Sequence, residues 1–181
     1  MLAIAAMAAA IASPAMAQEG RGAACVYASL PQDVRARLLA AYAREELSAA
    51  ELEPIRVAMQ PAVQSCTQRE GWTLREQQEA SFAYALDTAD LVATGASLQR
   101  AGVDPREVAV LFSALPAGTA DRLARPGQLT DAEATELVNI MRQFLSTNGP
   151  AREPPARGLA FDFLTAIAKM NATQARFAAA R

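Results

Sequence analysis

Two aspartates one helical turn apart are the residues of this sequence best placed to do chemistry. Asp87 and Asp90 share a stripe with Thr94 and Ser97, at spacings of three or four residues along a predicted helix that is otherwise apolar nearly all round. If the stripe is partly buried, repulsion between the two carboxylates raises the pKa of one of them, and an acid–base pair or a cation site can arise in this way. The alternative is a solvent-facing stripe that pairs with arginines of a neighbouring helix, and we favour this alternative.

Several chemistries are excluded by residues that the sequence lacks. There is no His among the 181 residues, which excludes the triads, relays and metal sites that depend on imidazole. The sequence also lacks the G-x-S-x-G, S-x-x-K, P-loop and G-x-G-x-x-G motifs of nucleophile and phosphate sites. Lys169, the only lysine, lies on a helix predicted to pack at the surface, and a catalytic amine needs a desolvated pocket. We therefore predict no catalytic residue and no cofactor.

A group of four glutamates is a second candidate for a cation site. Glu45, Glu46, Glu51 and Glu53 surround a predicted helix junction, and carboxylates grouped in this way can bind a hard cation such as Ca²⁺. Their spacing matches no calcium-binding loop, and the sequence has no Asp-x-Asp-x-Asp-Gly series. We therefore predict no metal site.

The N-terminal residues predict export. An apolar run over residues 2–12 is followed by Ala15-Met16-Ala17, a small-x-small tripeptide of the kind that signal peptidase cleaves. We predict a signal peptide over residues 1–17, cleavage near Ala17, and a mature chain that is periplasmic or secreted. No Lys or Arg follows Met1 directly, which leaves open a start further upstream. The run is shorter than the roughly 20 residues of a membrane-spanning helix, so we expect no stable membrane anchor.

Export determines how the two cysteines are interpreted. Cys25 and Cys66 both lie in the predicted mature chain, and an oxidising compartment favours a disulfide between them. The bond would close a loop of 42 residues, counted inclusively, and would stabilise the fold by roughly 4 kcal/mol. There is no C-x-x-C motif, so we predict a structural disulfide and not a redox-active pair.

Helix-start signals recur along the chain, and no segment alternates like a strand, so the predicted fold class is all-α. An apolar residue, then Ser or Thr, then Glu three residues later is the pattern of a capping box, and it occurs at 47–51, 72–76 and 129–133. Asp104-Pro105 adds a fourth start, with Pro at the first helical position. The predicted helices span residues 31–47, 49–67, 74–101, 105–115, 131–146 and 157–179, and residues 119–125 are predicted to add one or two further turns.

These segments predict a compact bundle of five to six helices in which residues 74–101 form a long central helix. Two prolines lie within the second segment, where we expect a break near Glu53 and a kink near Pro61. The chain then divides into three parts. They are the signal peptide at 1–17, a disulfide-stapled helical domain at 18–149, and a Pro-rich linker with a C-terminal helix packed on that domain at 150–181.

Charge and motif content predict binding more readily than catalysis. The formal net charge is −2 and the basic residues form no block, so we expect no nucleic-acid partner. We predict an exported helical protein with a non-catalytic binding or structural role, whose partner is an envelope protein or a small apolar ligand. The second hypothesis is an envelope glycan-acting enzyme that uses Asp87 and Asp90. A concave pocket at these carboxylates would favour the enzyme, whereas exposure or bridging to Arg would disfavour it.

The units at 47–51 and 129–133 are similar to the L-T-x-x-Q repeat of a family of small helical periplasmic chaperones. Both units end in Glu where the repeat has Gln, and the match covers ten residues. The resemblance implies a chaperone-like function in the periplasm as a further alternative.

Overall fold

A computed structural model describes residues 20–43, 49–116, 118–125, 127–147 and 154–180. Every regular element in these residues is helical, which confirms the predicted all-α class. There are eight α-helices and one short 3-10 helix in this part of the chain, where the sequence predicts five or six helices. They are the 3-10 helix Gly22–Ala24, α1 (Cys25–Ser29), α2 (Gln32–Tyr42), α3 (Ala49–Glu70), α4 (Arg75–Arg100), α5 (Pro105–Ser113), α6 (Thr119–Leu123), α7 (Asp131–Thr147) and α8 (Pro154–Ala179).

Several predictions lie wholly or partly outside the described residues. They are the signal peptide, Glu45, Glu46, the first two residues of the 47–51 motif, and the first part of the Pro-rich linker. Pro154 and Pro155, which the sequence places in the linker before the last helix, instead open α8. Proline is tolerated in the first turn because the N–H that it lacks would have no acceptor within the helix.

Two predicted helix starts are confirmed by cap hydrogen bonds. Asp104 precedes α5, and its Oδ1 accepts from the backbone N–H of Arg106 at 2.9 Å. Before α7, the Thr130 hydroxyl accepts from the N–H of Glu133 at 3.3 Å, and Oε2 of Glu133 accepts from the N–H of Thr130 at 3.0 Å. The 129–133 motif therefore acts as a capping box.

The motif at 72–76 does not form the predicted capping box. The helix α4 begins at Arg75 with Leu74 as its N-cap residue, and no side chain caps this end. The predicted cap residue, Thr73, lies one position too early to serve.

The residues before α4 are used to end α3 instead. Gly71 has a φ of 68°, and the N–H of Trp72 donates to the carbonyl oxygen of Thr67 at 3.0 Å, as in a glycine-terminated helix. Trp72 is buried and meets the ring of Phe177 edge-on, with 5.4 Å between ring centroids. Burial of Trp72 thus sets the chain path here, and this tertiary contact overrides the local helix-start signal.

The helix α3 runs without interruption through Pro54 and Pro61, so the predicted break near Glu53 is wrong. A proline inside a helix removes a hydrogen bond and costs about 3 kcal/mol. One face of α3 is anchored in the core at Ile55, Met59, Ala62, Val63 and Cys66. Packing of this face offsets the cost of the prolines, because tertiary burial contributes more to a helix than local propensity.

A buried disulfide pins the N-terminal arm to α3. Cys25 and Cys66 are bonded, with their Cα atoms 5.9 Å apart, which confirms the predicted pairing. Arg69, in the last turn of α3, donates to Sγ of Cys25 at 2.7 Å. The buried hydroxyl of Ser81 on α4 donates to the carbonyl oxygen of Ala23 at 2.9 Å. The arm is therefore fixed both to α3 and to α4.

The most extensive helix contact is between α4 and α8, which run antiparallel. Three residue pairs define the register: Gly95 with Phe163, Asp90 with Lys169, and Asp87 with Thr173. A Cβ at Gly95 would lie 3.2 Å from Cε2 of Phe163, so the glycine allows the helices to approach closely. Helix α4 also contacts α1, α2, α3 and the 3-10 helix.

The helices α5, α6 and α7 pack mainly on α8. Leu137 and Met141 of α7 are buried there, and Arg122 of α6 forms an ion pair with Glu133 of α7. Within the described residues, no helix has both the length and the apolar character needed to cross a bilayer.

Candidate functional site

The contact between α4 and α8 contains a polar cluster, here called the polar seam, formed by Asp87, Asp90, Lys169, Thr173 and Arg176. Oδ2 of Asp90 accepts from Nζ of Lys169 at 3.4 Å. Oδ2 of Asp87 accepts from the Thr173 hydroxyl at 2.6 Å, and the oxygen of that hydroxyl accepts from Nη2 of Arg176 at 3.1 Å. Both candidate carboxylates are thus engaged by side chains of α8.

Asp87 is half-buried, and the side chain that donates to its Oδ2 is a hydroxyl and not a cation. The hydroxyl belongs to Thr173, which is only 3% exposed. Burial raises the pKa of Asp87 above its ordinary value. The Thr173 hydrogen bond and the positive charges of Lys169 and Arg176 oppose the rise, and the negative charge of Asp90 adds to it. The fold therefore favours the protonated form of this carboxyl group more than water does.

Two further titratable groups face the polar seam from its edges. Burial, followed by the negative charges of Asp90 and Asp87, raises the pKa of Tyr42 on α2. Asp162 stands at the exposed rim on α8, where partial burial and the charge of Asp90 raise its pKa and Lys169 opposes the rise. The seam itself lies between α4 and α8, and α2 contributes Tyr42 at its edge.

The other half of the predicted stripe does not join the seam. The Thr94 hydroxyl donates to the backbone carbonyl oxygen of Asp90 at 2.8 Å, and the Ser97 hydroxyl donates to that of Ala93 at 3.1 Å. Nη2 of Arg100 donates to the Ser97 hydroxyl at 2.9 Å, within the same helix. Thr94 and Ser97 therefore satisfy their hydrogen bonds on α4 itself.

The geometry of the aspartates bears on the enzyme hypothesis. Three cavities in the described part of the chain lie away from the seam: one along α7, one between α3 and α4, and a small one among residues 115–140. Asp87 and Asp90 line none of these three. They bridge to α8, where their direct partners are Lys169 and Thr173 and not arginines.

Sequence reasoning did not identify the α8 side of the seam. Lys169, Thr173 and Arg176 are spaced by four and three residues, so they form a polar stripe on one face of α8. This stripe mirrors that of Asp87 and Asp90 on the antiparallel α4. Two matching polar stripes on otherwise apolar helices are the signal that could have paired them.

The cavity between α3 and α4 is an open groove of about 480 Å³. It is lined by Arg56, Gln60, Val63, Arg75, Gln78, Glu79 and Phe82. The guanidinium of Arg56 lies 5.3 Å from the centroid of the Phe82 ring, and Arg75 pairs with Glu79 at 2.6 Å. The groove therefore combines two cations with an aromatic surface.

Two of the four grouped glutamates, Glu51 and Glu53, lie in the described part of the chain. Among the described residues, no group of three or more acidic or Cys side chains is arranged to hold a metal ion. Glu53 lies 3.9 Å from Nε of Arg56, in a loose ion pair on the surface of α3. Glu51 is exposed on the same helix.

The resemblance to the periplasmic chaperones rests on the two motifs alone, and the comparisons with known proteins do not add to it. The Thr130–Glu133 unit of the second motif acts as a helix cap, which accounts for its sequence without a repeat. No protein-family model, no curated protein and no solved structure matches this chain.

Proposed function

We propose that this chain is an exported protein that acts in the periplasm or outside the cell after removal of its leader near Ala17. The buried Cys25–Cys66 disulfide, together with the leader sequence, is the observation that carries this proposal. Disulfides persist in oxidising compartments and are rare in the reducing cytosol. Neither cysteine is exposed, so the bond serves as a structural staple.

In that compartment the protein binds a partner and catalyses no reaction. The two aspartates best suited to chemistry are committed to α8, where Asp87 holds Thr173 and Asp90 holds Lys169. A general acid or base must reach substrate within hydrogen-bond distance, and these contacts occupy the carboxylates instead. The glycan-acting enzyme is therefore the less supported hypothesis.

The groove between α3 and α4 supports binding best. Val63 and Phe82 offer apolar contact, while Arg56, whose ion pair with Glu53 is loose, can receive a carboxylate. This mixed lining suits a polypeptide segment of an envelope partner, with one apolar and one acidic side chain, better than a wholly apolar small molecule. The partner proposed is therefore an envelope protein.

The finer architecture is part of the same proposal. Residues 18–149 form a disulfide-stapled domain arranged around α4 as its long central helix. Within the C-terminal part at 150–181, α8 packs along α4, and the extent of the α4–α8 contact supports this role.

The location is tested by fractionating cells that express the full gene and identifying the N-terminal peptide by mass spectrometry. The proposal expects a mature chain that starts near Gln18 in the periplasm or the medium. An intact leader on protein confined to the cytosol would contradict it.

The groove is tested by affinity capture from the cell envelope with Arg56→Glu. Its matched control is Arg37→Glu, because both arginines have 56% of their side chain exposed and both pair with an acidic residue one turn earlier. Reversing one charge in the groove should reduce the captured partner by about tenfold, whereas the control should capture as much as wild type. Equal capture by both variants would place binding elsewhere.

The enzyme alternative has its own test. Asp87→Asn and Asp90→Asn would abolish release of soluble fragments from envelope glycans if these residues were catalytic. We expect no such release from the wild-type protein, and release that depends on either residue would replace the binding proposal.

A further inference from the structure

The polar seam and the groups at its edges together hold more carboxyl groups than cations where α8 meets α4. The titratable and charged groups are Asp87 and Asp90 on α4 and Lys169 and Arg176 on α8, with Asp162 of α8 and Tyr42 of α2 at the edges. Three carboxyl groups therefore face one ammonium and one guanidinium, with a neutral phenol beside them.

Lys169 and Arg176 do not contact Asp87 and Asp90 equally. Lys169 contacts Asp90 directly, whereas Arg176 reaches Asp87 only through the hydroxyl of Thr173. An ionised carboxylate that is half-buried without a cation in contact is incompletely compensated. A protonated Asp87 carries no charge to compensate, so burying it in the α4–α8 contact costs less, although its hydrogen bond from Thr173 is then weaker.

We propose that the polar seam is a proton-operated clasp on the C-terminal helix: α8 is held most tightly on α4 when Asp87 carries a proton and is loosened when Asp87 is ionised. Loosening would uncover the apolar face with which α8 packs, which includes Phe163, Leu164 and Met170. This inference is independent of the partner proposed for the α3–α4 groove.

The direction of the effect follows from linkage. The folded protein binds the Asp87 proton more tightly than the unfolded chain, because burial raises the pKa of Asp87 above its ordinary 3.8. The stability due to that proton is fully present below pH 3.8 and is lost as pH rises through the raised pKa of the folded state.

The chain contains its own reporter of this contact. Trp72 is the only tryptophan, and its ring packs against Phe177 near the end of α8. Detachment of α8 exposes Trp72 to water, which changes its fluorescence.

The first experiment is urea unfolding followed by Trp72 fluorescence, from about pH 4 to about pH 7. The variants are Asp87→Asn and, as control, Asp33→Asn, which removes an exposed carboxylate that pairs with Arg37. As pH rises from about 4 to about 7, the ratio of the wild-type unfolding constant to that of Asp87→Asn should rise at least about threefold. The control should follow wild type. A ratio that does not change with pH would overturn the clasp.

The second experiment separates a clasp from a general change in stability. Hydrogen exchange near neutral pH should be several-fold slower in Asp87→Asn than in wild type for peptides of α8. Peptides of α3, which the disulfide anchors, should exchange equally in the two proteins. Equal slowing in both helices, or no slowing in α8, would contradict the proposal.

Thr173→Val should change hydrogen exchange in the opposite direction, and valine has nearly the same shape as threonine. It removes the hydroxyl that stabilises ionised Asp87 and so should make exchange in α8 faster near neutral pH and steepen the pH dependence. A variant with unchanged exchange and unchanged pH dependence would show that the hydrogen bond does not operate the clasp.

Discussion

The two sides of this molecule are held in different ways. On one side, a disulfide joins α1 to α3, and Arg69 and Ser81 fix the N-terminal arm by hydrogen bonds. On the other side, α5 to α7 pack mainly on α8 and depend on helix caps and on a few buried side chains.

This difference shows how a chain with few aromatic residues distributes its stability. The stapled side is restrained even when its helices are short, because a covalent link reduces the entropy of the unfolded chain. The side held by α8 has no such restraint within the described residues, so it can open locally at lower free energy. Three sets of substitutions test this comparison, and they are given in order of decreasing expected effect.

Removing the disulfide should have the largest effect. The double variant Cys25→Ser, Cys66→Ser should lose roughly 4 kcal/mol of unfolding free energy, because it frees a closed loop with a sequence separation of 41 residues. Urea denaturation of oxidised protein measures the loss. A change below about 1 kcal/mol would show that packing, and not the staple, holds this side.

Truncating one buried leucine on each side should separate local from global opening. Leu137→Ala on α7 and Leu38→Ala on α2 remove equally buried side chains, and each should cost about 3 kcal/mol or less. In Leu137→Ala, faster hydrogen exchange should be confined to α5, α6 and α7. In Leu38→Ala it should extend over the stapled side. Identical exchange patterns in the two variants would remove the distinction between the two sides.

The capping box of α7 should have the smallest effect of the three. Thr130→Ala removes the hydroxyl that receives the N–H of Glu133 and should cost about 1 kcal/mol. Thr73→Ala is the matched control, because Thr73 belongs to a similar motif but caps no helix, and should be nearly neutral. Thermal unfolding of both variants measures the difference, and equal losses would deny Thr130 its role as a cap.

The features predicted correctly from sequence are those decided by neighbouring residues or by there being one possible pairing. Asp104 and Thr130 cap helices because their side chains reach backbone donors two and three residues away. The Cys25–Cys66 pair follows from there being only two cysteines in a chain whose N-terminal residues predict export.

The features missed depend on distant contacts. The 72–76 motif is a local helix-start signal, yet burial of Trp72 against Phe177 determines the chain path there. The partners of Asp87 and Asp90 depend on the register between α4 and α8, to which the close approach of Gly95 and Phe163 contributes. No single segment of sequence contains that register.

The most direct test of the account is the redox state of Cys25 and Cys66 in the cell. Cells are treated with an alkylating reagent that traps free thiols, and the denatured protein is weighed by intact mass spectrometry. The account predicts a chain that starts near Gln18 and carries no alkyl group, because both sulfurs are bonded to each other. A full-length chain with both cysteines alkylated would contradict export and the staple together.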